Sequence, residues 1–264
     1  MTAKRFVRFF TDNFGSCMFK MYTRATRVFC ASFPLFAVFA ALAVALDVIA
    51  EITGSSSGVL VASLMVFGFV SLFSHRLLLS GQKAAVADVF KRQPVGPLAG
   101  AQKPFMLRLV GLWLVGFLAW AFFAWLLYGI VPGPKRTLPM VVMMLGILPA
   151  GLLVYVVLAL FGTALPAAAA LQDARFSTAL QRGKQSFWTT LLLLLTGNGL
   201  FTLASFAGVI LLGNSLWEDA PSAVTLLLDF LVQLAALFSI HLTATALCMA
   251  YEAAEPQAAA EAVG

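Results

Sequence analysis

The sequence is short of charge. Only 11% of its 264 residues are Asp, Glu, Lys or Arg, against roughly 25% in an ordinary soluble domain. Apolar residues make up 61%. A soluble fold of this size could not hide so much apolar surface, because a large share of any fold's surface faces water. Soluble globular enzymes and disordered polar tails are thereby excluded. Cysteine is scarce too. Cys17, Cys30 and Cys248 are odd in number, and their spacing fits neither a disulfide scaffold nor a metal pattern. They read as small apolar side chains in a reducing compartment. Histidine is limited to His75 and His241. No glycine-rich phosphate loop leads into a helix through Lys-Ser or Lys-Thr. No His/Cys/Asp/Glu cluster has metal-ligand spacing, and no aromatic–basic nucleic-acid module is present. The sequence thus points to no catalytic residue, no cofactor, no metal and no nucleic-acid partner.

What the chain has instead is long apolar runs, with a mean hydropathy of +0.96. Crossing the hydrocarbon core takes ~20 mostly apolar residues. Six stretches qualify: 28–50, 59–79, 109–131, 139–161, 188–212 and 223–250. The first contains Pro34 and closes on Asp47 and Glu51. The fourth carries Pro149 near its middle. The expected fold is all-α and polytopic, with six transmembrane helices. The first apolar run starts near Val28, behind a basic segment longer than the n-region of a signal peptide, so it reads as an uncleaved span.

Residues 1–27 hold six basic residues against one acid, Asp12. Phe6, Phe10, Phe14, Cys17 and Met21 recur at helical steps along one face, and Lys4, Arg8 and Asp12 share the other. That pattern predicts an interfacial helix lying in the headgroup plane. The alternative is a basic tail that is only partly helical.

Charge sets the expected orientation. With the N-terminus inside, fifteen of the seventeen Lys and Arg fall on the inner face, and only Lys135 and Arg136 lie outside. The positive-inside rule then places both termini in the cytoplasm. Trp125, Tyr128 and Trp217 fall near the outer interface, and Tyr22, Trp188 and Tyr251 near the inner one, as aromatic belts require. The outer connections are short, whereas two inner connections are long enough to hold amphipathic elbow helices. One is expected at Lys83–Gln93, stopped by Pro94. A second is expected from a Ser177 cap through Ala179, Leu180 and Arg182, ending near Gly183. Residues 252–264 are rich in Ala and Glu and read as a disordered tail.

The stretch Ala164-Leu165-Pro166-Ala167-Ala168-Ala169, followed by Ala179-Leu180-Gln181-Arg182-Gly183-Lys184, resembles a set of bacterial inner-membrane proteins. That set includes the YciC-like proteins and the membrane domain of glycerophosphoryl diester phosphodiesterases. His75-Arg76-Leu77-Leu78-Leu79 resembles the matching element of the first half. The resemblance covers mainly 74–92 and 162–190. It implies six helices, inner-face elbow helices and no intrinsic catalysis, because the phosphodiesterase catalytic domain has no counterpart here. The turn Gln172-Asp173-Ala174 departs from the usual glycine-containing turn of that set.

Several residues stand out as candidate sites. Asp229 lies inside the sixth stretch with Gln233 one turn further on the same face. A charge inside a span costs ~2.5–3.5 kcal/mol on insertion scales. With Asn198 of the fifth stretch, the pair could form a proton or cation site; otherwise Asp229 is a protonated or hydrogen-bonded packing contact. His241 lies twelve residues beyond Asp229, ~18 Å along a helix, too far to share that site. Gly54-Ser55-Ser56-Ser57-Gly58 matches the letters of a nucleophile elbow. That motif needs a strand–turn–helix context and a base within reach. Arg76, Arg175, Arg182 and Lys184 are candidate contacts for anionic lipid or a partner, with ordinary snorkelling as the alternative. Ala235, Ser239, Thr243, Ala246 and Ala250 form a small-residue stripe suited to close helix packing or, less simply, to a homo-oligomer.

Two function classes follow. The first is a non-enzymatic accessory or organising protein of the bacterial inner membrane, touching anionic headgroups on the cytoplasmic face or a membrane-protein partner. The second is a small secondary transporter or channel using Asp229. A wet polar cavity favours the second, and a dry bundle favours the first.

Overall fold

The structure is a computed structural model that describes residues 14–54, 56–81, 98–130, 138–216 and 222–261. Every described element is helical. In chain order they are α1 (Phe14–Ala31), α2 (Phe33–Thr53), α3 (Ser56–Ser80), α4 (Leu98–Tyr128) and α5 (Leu138–Phe161). The short α6 (Ala164–Ala169) and α7 (Phe176–Leu193) come next. A π-helical turn (Leu194–Gly199) then joins α7 to α8 (Leu200–Leu216), and α9 (Ser222–Glu261) ends the chain. Among the described residues, five stretches are long and apolar enough to cross a membrane: Phe33–Thr53, Gly58–Ser80, Ala101–Tyr128, Phe176–Val209 and Ala223–Glu255. Leu145–Phe161 is an apolar helix of shorter length.

The last helix is the central post. It packs against α1, α2, α3, α6, α7, the π turn and α8. Its 40 residues make it about 60 Å long at 1.5 Å per residue, twice the thickness of a bilayer core. The second body is the α4/α5 hairpin, whose two helices pack chiefly on each other. Gly116 and Gly146 let them close up: a Cβ at Gly116 would lie 3.2 Å from Val154, and one at Gly146 3.3 Å from the Ala124 backbone.

Several boundaries differ from those read in the sequence. The first apolar stretch is divided at Ser32, because Pro34 supplies no N–H to the helix, and α2 starts at Phe33. The apolar stripe of α1 does not face outward. Met21 and Ala25 are fully buried against Leu193, Leu194, Leu242 and Ala246, with Cys17 and Tyr22 beside them. The helix is therefore packed on the bundle through the face expected to meet lipid. Residues 1–13 and the predicted elbow at 83–93 lie outside the described residues.

The second elbow does not end at Gly183. It is the first half of α7, which runs on to Leu193 and through the π turn into α8. Arg175, not Ser177, occupies the N-cap, with extended backbone and no side-chain cap. Gly183 serves a different purpose, because a Cβ there would collide with the Leu160 carbonyl. It lets α7 cross α5 in backbone contact. The tail also departs from expectation, since α9 remains helical to Glu261. Glu252 and Glu255 lie three residues apart on one face and meet Arg24 and Arg182, which gives this end of the helix partners.

Candidate functional site

A cavity of about 290 Å³ forms the cleft between the two bodies. Leu64, Phe67, Ser71 and His75 of α3 form one wall. Leu109, Leu112, Trp113 and Val115 of α4, with Val154, Val157 and Leu158 of α5, form the facing wall. Ile240, Thr243 and Leu247 of α9 form the back, and Leu165 of α6 adds to the lining. Leu64 and Val115, 39% and 40% exposed, stand at its margin, so the cleft opens to the apolar outer surface of the bundle. From Leu64 to His75 is eleven residues, ~16 Å along α3.

His75 lies at the basic end of this cleft and is 1% exposed. Its ring packs edge-on to Phe105 at 5.4 Å. Nδ1 lies 2.8 Å from the Ser71 carbonyl. A carbonyl only accepts, so Nδ1 carries the proton and Nε2 of the neutral ring is an acceptor. Nε2 is buried and has no hydrogen-bond partner among the described residues. An unpaired buried polar atom costs ~1–3 kcal/mol, so its partner is worth seeking.

His241 is fully buried among rings, 5.3 Å from Phe36 and 5.9 Å from Phe29. Its ring partners Phe29 and Phe36 lie on either side of the break at Ser32.

The intramembrane polar residues singled out by sequence do not converge. Gln233 donates to Asp47 Oδ2 at 2.9 Å, tying α9 to α2. Asn198 sits in the π turn and donates to the Tyr155 hydroxyl at 3.3 Å. Its oxygen accepts from Thr202 at 3.1 Å and from Ser239. Asn198 therefore joins α5, α8 and α9, and belongs to a different contact from Gln233. Asp229 lies on α9 one turn before Gln233 and also has an interaction partner. None of the three lines the cleft. The π turn frees carbonyls that an α-helix would consume. Tyr22 uses two of them, donating to Thr196 and Gly197 at 3.1 and 3.0 Å. Burial pushes the Tyr22 phenol above its usual pKa, which keeps it a donor.

The basic residues divide into tied and available groups. Arg24 makes paired 2.6 Å bonds to both Glu252 oxygens and a 2.8 Å bond to the Leu78 carbonyl. Arg182, predicted as a surface contact, is buried: it lies over the Tyr251 ring, donates to the Asp173 carbonyl at 3.1 Å and faces Glu255 at 3.6 Å. Arg108 reaches the Ala174 carbonyl at 2.5 Å. These contacts clamp the loop after α6 onto α4 and α9. Arg76 is half-buried and partnered. Arg175, 82% exposed in its side chain and 3.8 Å from the exposed Asp173 carboxylate, and the exposed Lys184 are the candidates that still face outward. Asp173 accepts from the Arg175 N–H and the Thr178 hydroxyl, which hold its carboxyl below the usual range.

Gly54 ends α2 at φ +63°, and α3 begins at Ser56. The nucleophile-elbow letters thus sit between two helices, without the strand the motif requires. Among the described residues, no three His, Cys, Asp or Glu side chains gather as a metal site would need. Sequence reading missed Ser239 and Tyr155 as partners of Asn198, and missed the cleft altogether. Its walls carry ordinary apolar residues, so only His75 and Ser71, four apart on α3, left a trace in the sequence. Comparison with protein-family models, curated proteins and solved structures yields no match.

Proposed function

We propose that the chain is a non-enzymatic integral membrane protein of the bacterial inner membrane that organises lipid, or serves as an accessory subunit, at its basic face. In this reading the α4/α5 hairpin completes a set of six spans, both termini face the cytoplasm, and α6 with the start of α7 forms an inner-face elbow. The resemblance to the YciC-like proteins and the phosphodiesterase membrane domain belongs to the same reading. One observation carries it: the cavity between the two bodies is an apolar cleft open to the bundle's outer surface, walled by leucine, valine and aromatic side chains. A transport path would need a wet polar route, and Gln233 and Asn198 are instead engaged in separate helix–helix contacts. The outward-facing Arg175 and Lys184 supply cations where anionic headgroups would lie.

Native mass spectrometry of the full chain from mixed micelles tests this. Phosphatidylglycerol is expected to be retained in preference to phosphatidylcholine. The double variant Arg175→Gln/Lys184→Gln should lower that preference about tenfold or more, at ~1 kcal/mol per cation near an anionic surface. Equal retention of the two lipids by the unaltered chain would overturn the reading.

A further inference from the structure

We infer that the cleft between α3, α9 and the α4/α5 hairpin holds the hydrocarbon chain of an uncharged lipid bearing a free hydroxyl, and that this hydroxyl donates to Nε2 of His75. The inference rests on the membrane-lipid reading above and names the lipid class that the cleft accepts.

Three observations carry it. The cleft is walled almost entirely by apolar side chains and is about 290 Å³ in volume, close to the lower limit of ordinary ligand pockets. Its ~16 Å run along α3 suits one extended chain lying parallel to the helices. Among the described residues its one ionisable lining residue is His75, a buried ring whose Nδ1–H is committed to the Ser71 carbonyl and whose Nε2 has no donor among those residues. His75 stands five residues before the end of α3 at Ser80, ~7–8 Å below it.

The same chemistry selects against charged phospholipids. Among the described residues, no Lys or Arg lines the cleft. A phosphodiester would bring a negative charge that this lining leaves unpaired, and the headgroup hydroxyls of a phosphatidylglycerol lie beyond that charge. A diacylglycerol presents one hydroxyl donor beside its chains and no charge. Ser71 adds a hydroxyl on the same lining that can donate to an ester oxygen, whereas the Thr243 hydroxyl is committed to the Ser239 carbonyl at 3.2 Å.

Trp113 lines the cleft and reports on it directly. The full chain with Trp120, Trp125, Trp188 and Trp217 changed to Phe keeps Trp113 as its only indole. It is reconstituted in phosphatidylcholine vesicles containing chain-brominated diacylglycerol or chain-brominated phosphatidylglycerol at equal mole fraction. Bromine quenches tryptophan at contact, so quenching gives each lipid's relative association constant. Diacylglycerol is expected to associate about fivefold more strongly, the worth of one net hydrogen bond. His75→Leu should reduce that ratio to one. Val157→Phe, which fills the slot from α5 and leaves His75 in place, should abolish the excess quenching while the protein remains folded. Equal constants for the two lipids in the unaltered chain, or a preference that survives Val157→Phe, would overturn the inference. Phosphatidylglycerol retention at Arg175 and Lys184 is read separately, so failure here and failure of the broader proposal are distinguishable.

Discussion

The two bodies of the protein are built from the same kinds of residue and packed in opposite ways. Around α9, the side chains of Phe36, Leu237, Leu242 and Leu247 are sealed to 1% exposure or less. On α4, Leu114, Phe117, Leu118, Phe122 and Trp125 are 54–72% exposed. The hairpin is held mainly at its basic end, where Phe105, Leu109 and Leu112 pack with Leu165 and the alanines of α6. Further from that end it splays away from α3 and leaves the cleft. In lipid this is no defect. Hydrocarbon solvates an exposed leucine as well as another leucine does, so helix association is decided by close fit and polar contacts. Where small residues and hydrogen bonds occur, at Gly183, Gly197 and Ser239, helices close up. At the cleft, large apolar side chains of α3 and of the hairpin face each other across a gap.

The largest expected effect breaks the tight side at its closest contact. Gly183→Leu would place a side chain where the Leu160 backbone lies, at a cost of ~3 kcal/mol or more. Fluorescence-detected size exclusion should show loss of the monodisperse peak. Next, Phe36→Ala should destabilise by ~2–4 kcal/mol, and Leu148→Ala, 70% exposed on the hairpin, by about zero. In lipid the transfer contribution largely vanishes, but the cavity contribution stays. Thermal unfolding in one detergent measures both, and equal costs would erase the distinction between the bodies. Smaller still, Arg24→Gln removes the charged half of the clamp between α1 and α9. Its side chain is 30% exposed, so a loss of about 1 kcal/mol is expected.

The smallest effects concern the loop that anchors the hairpin. Leu171 has φ +59°, and the Gln172 and Leu171 N–H groups close a Schellman turn on Ala167 and Ala168. Leu171→Gly should therefore raise the melting temperature slightly, because glycine adopts this conformation without a Cβ clash. Asp173 is held below its usual pKa by the Arg175 N–H and the Thr178 hydroxyl. A depressed carboxylate stabilises above its unfolded value of about 3.9 and loses that contribution as pH falls through its lower folded value. Melting curves of the unaltered chain and Asp173→Asn should differ at neutral pH and converge in acid below about pH 4.

Much of the fold was legible in one dimension, and the site was not. Helix boundaries for α3 and the start of α9 follow from apolar length and flanking polar residues. The early start of α4 was hidden, because Pro104 and Arg108 read as loop until Arg108 is seen donating to the Pro104 carbonyl at 2.8 Å. The tail was misread for the same reason: Glu252 and Glu255 look like solvated charges until Arg24 and Arg182 arrive from distant helices. Arg182 itself looked like a surface cation and is a buried strut.

By itself the sequence determined the class. Few charges and long apolar runs demand helices, because each run must satisfy its own backbone hydrogen bonds in lipid. Tertiary structure alone decided where the polar groups pair, which arginines remain available, and that a cleft exists beside His75. Those outcomes depend on the distance between side chains far apart in the chain. Apolar periodicity carries no record of that distance, since lipid rewards an outward leucine and an inward one almost equally.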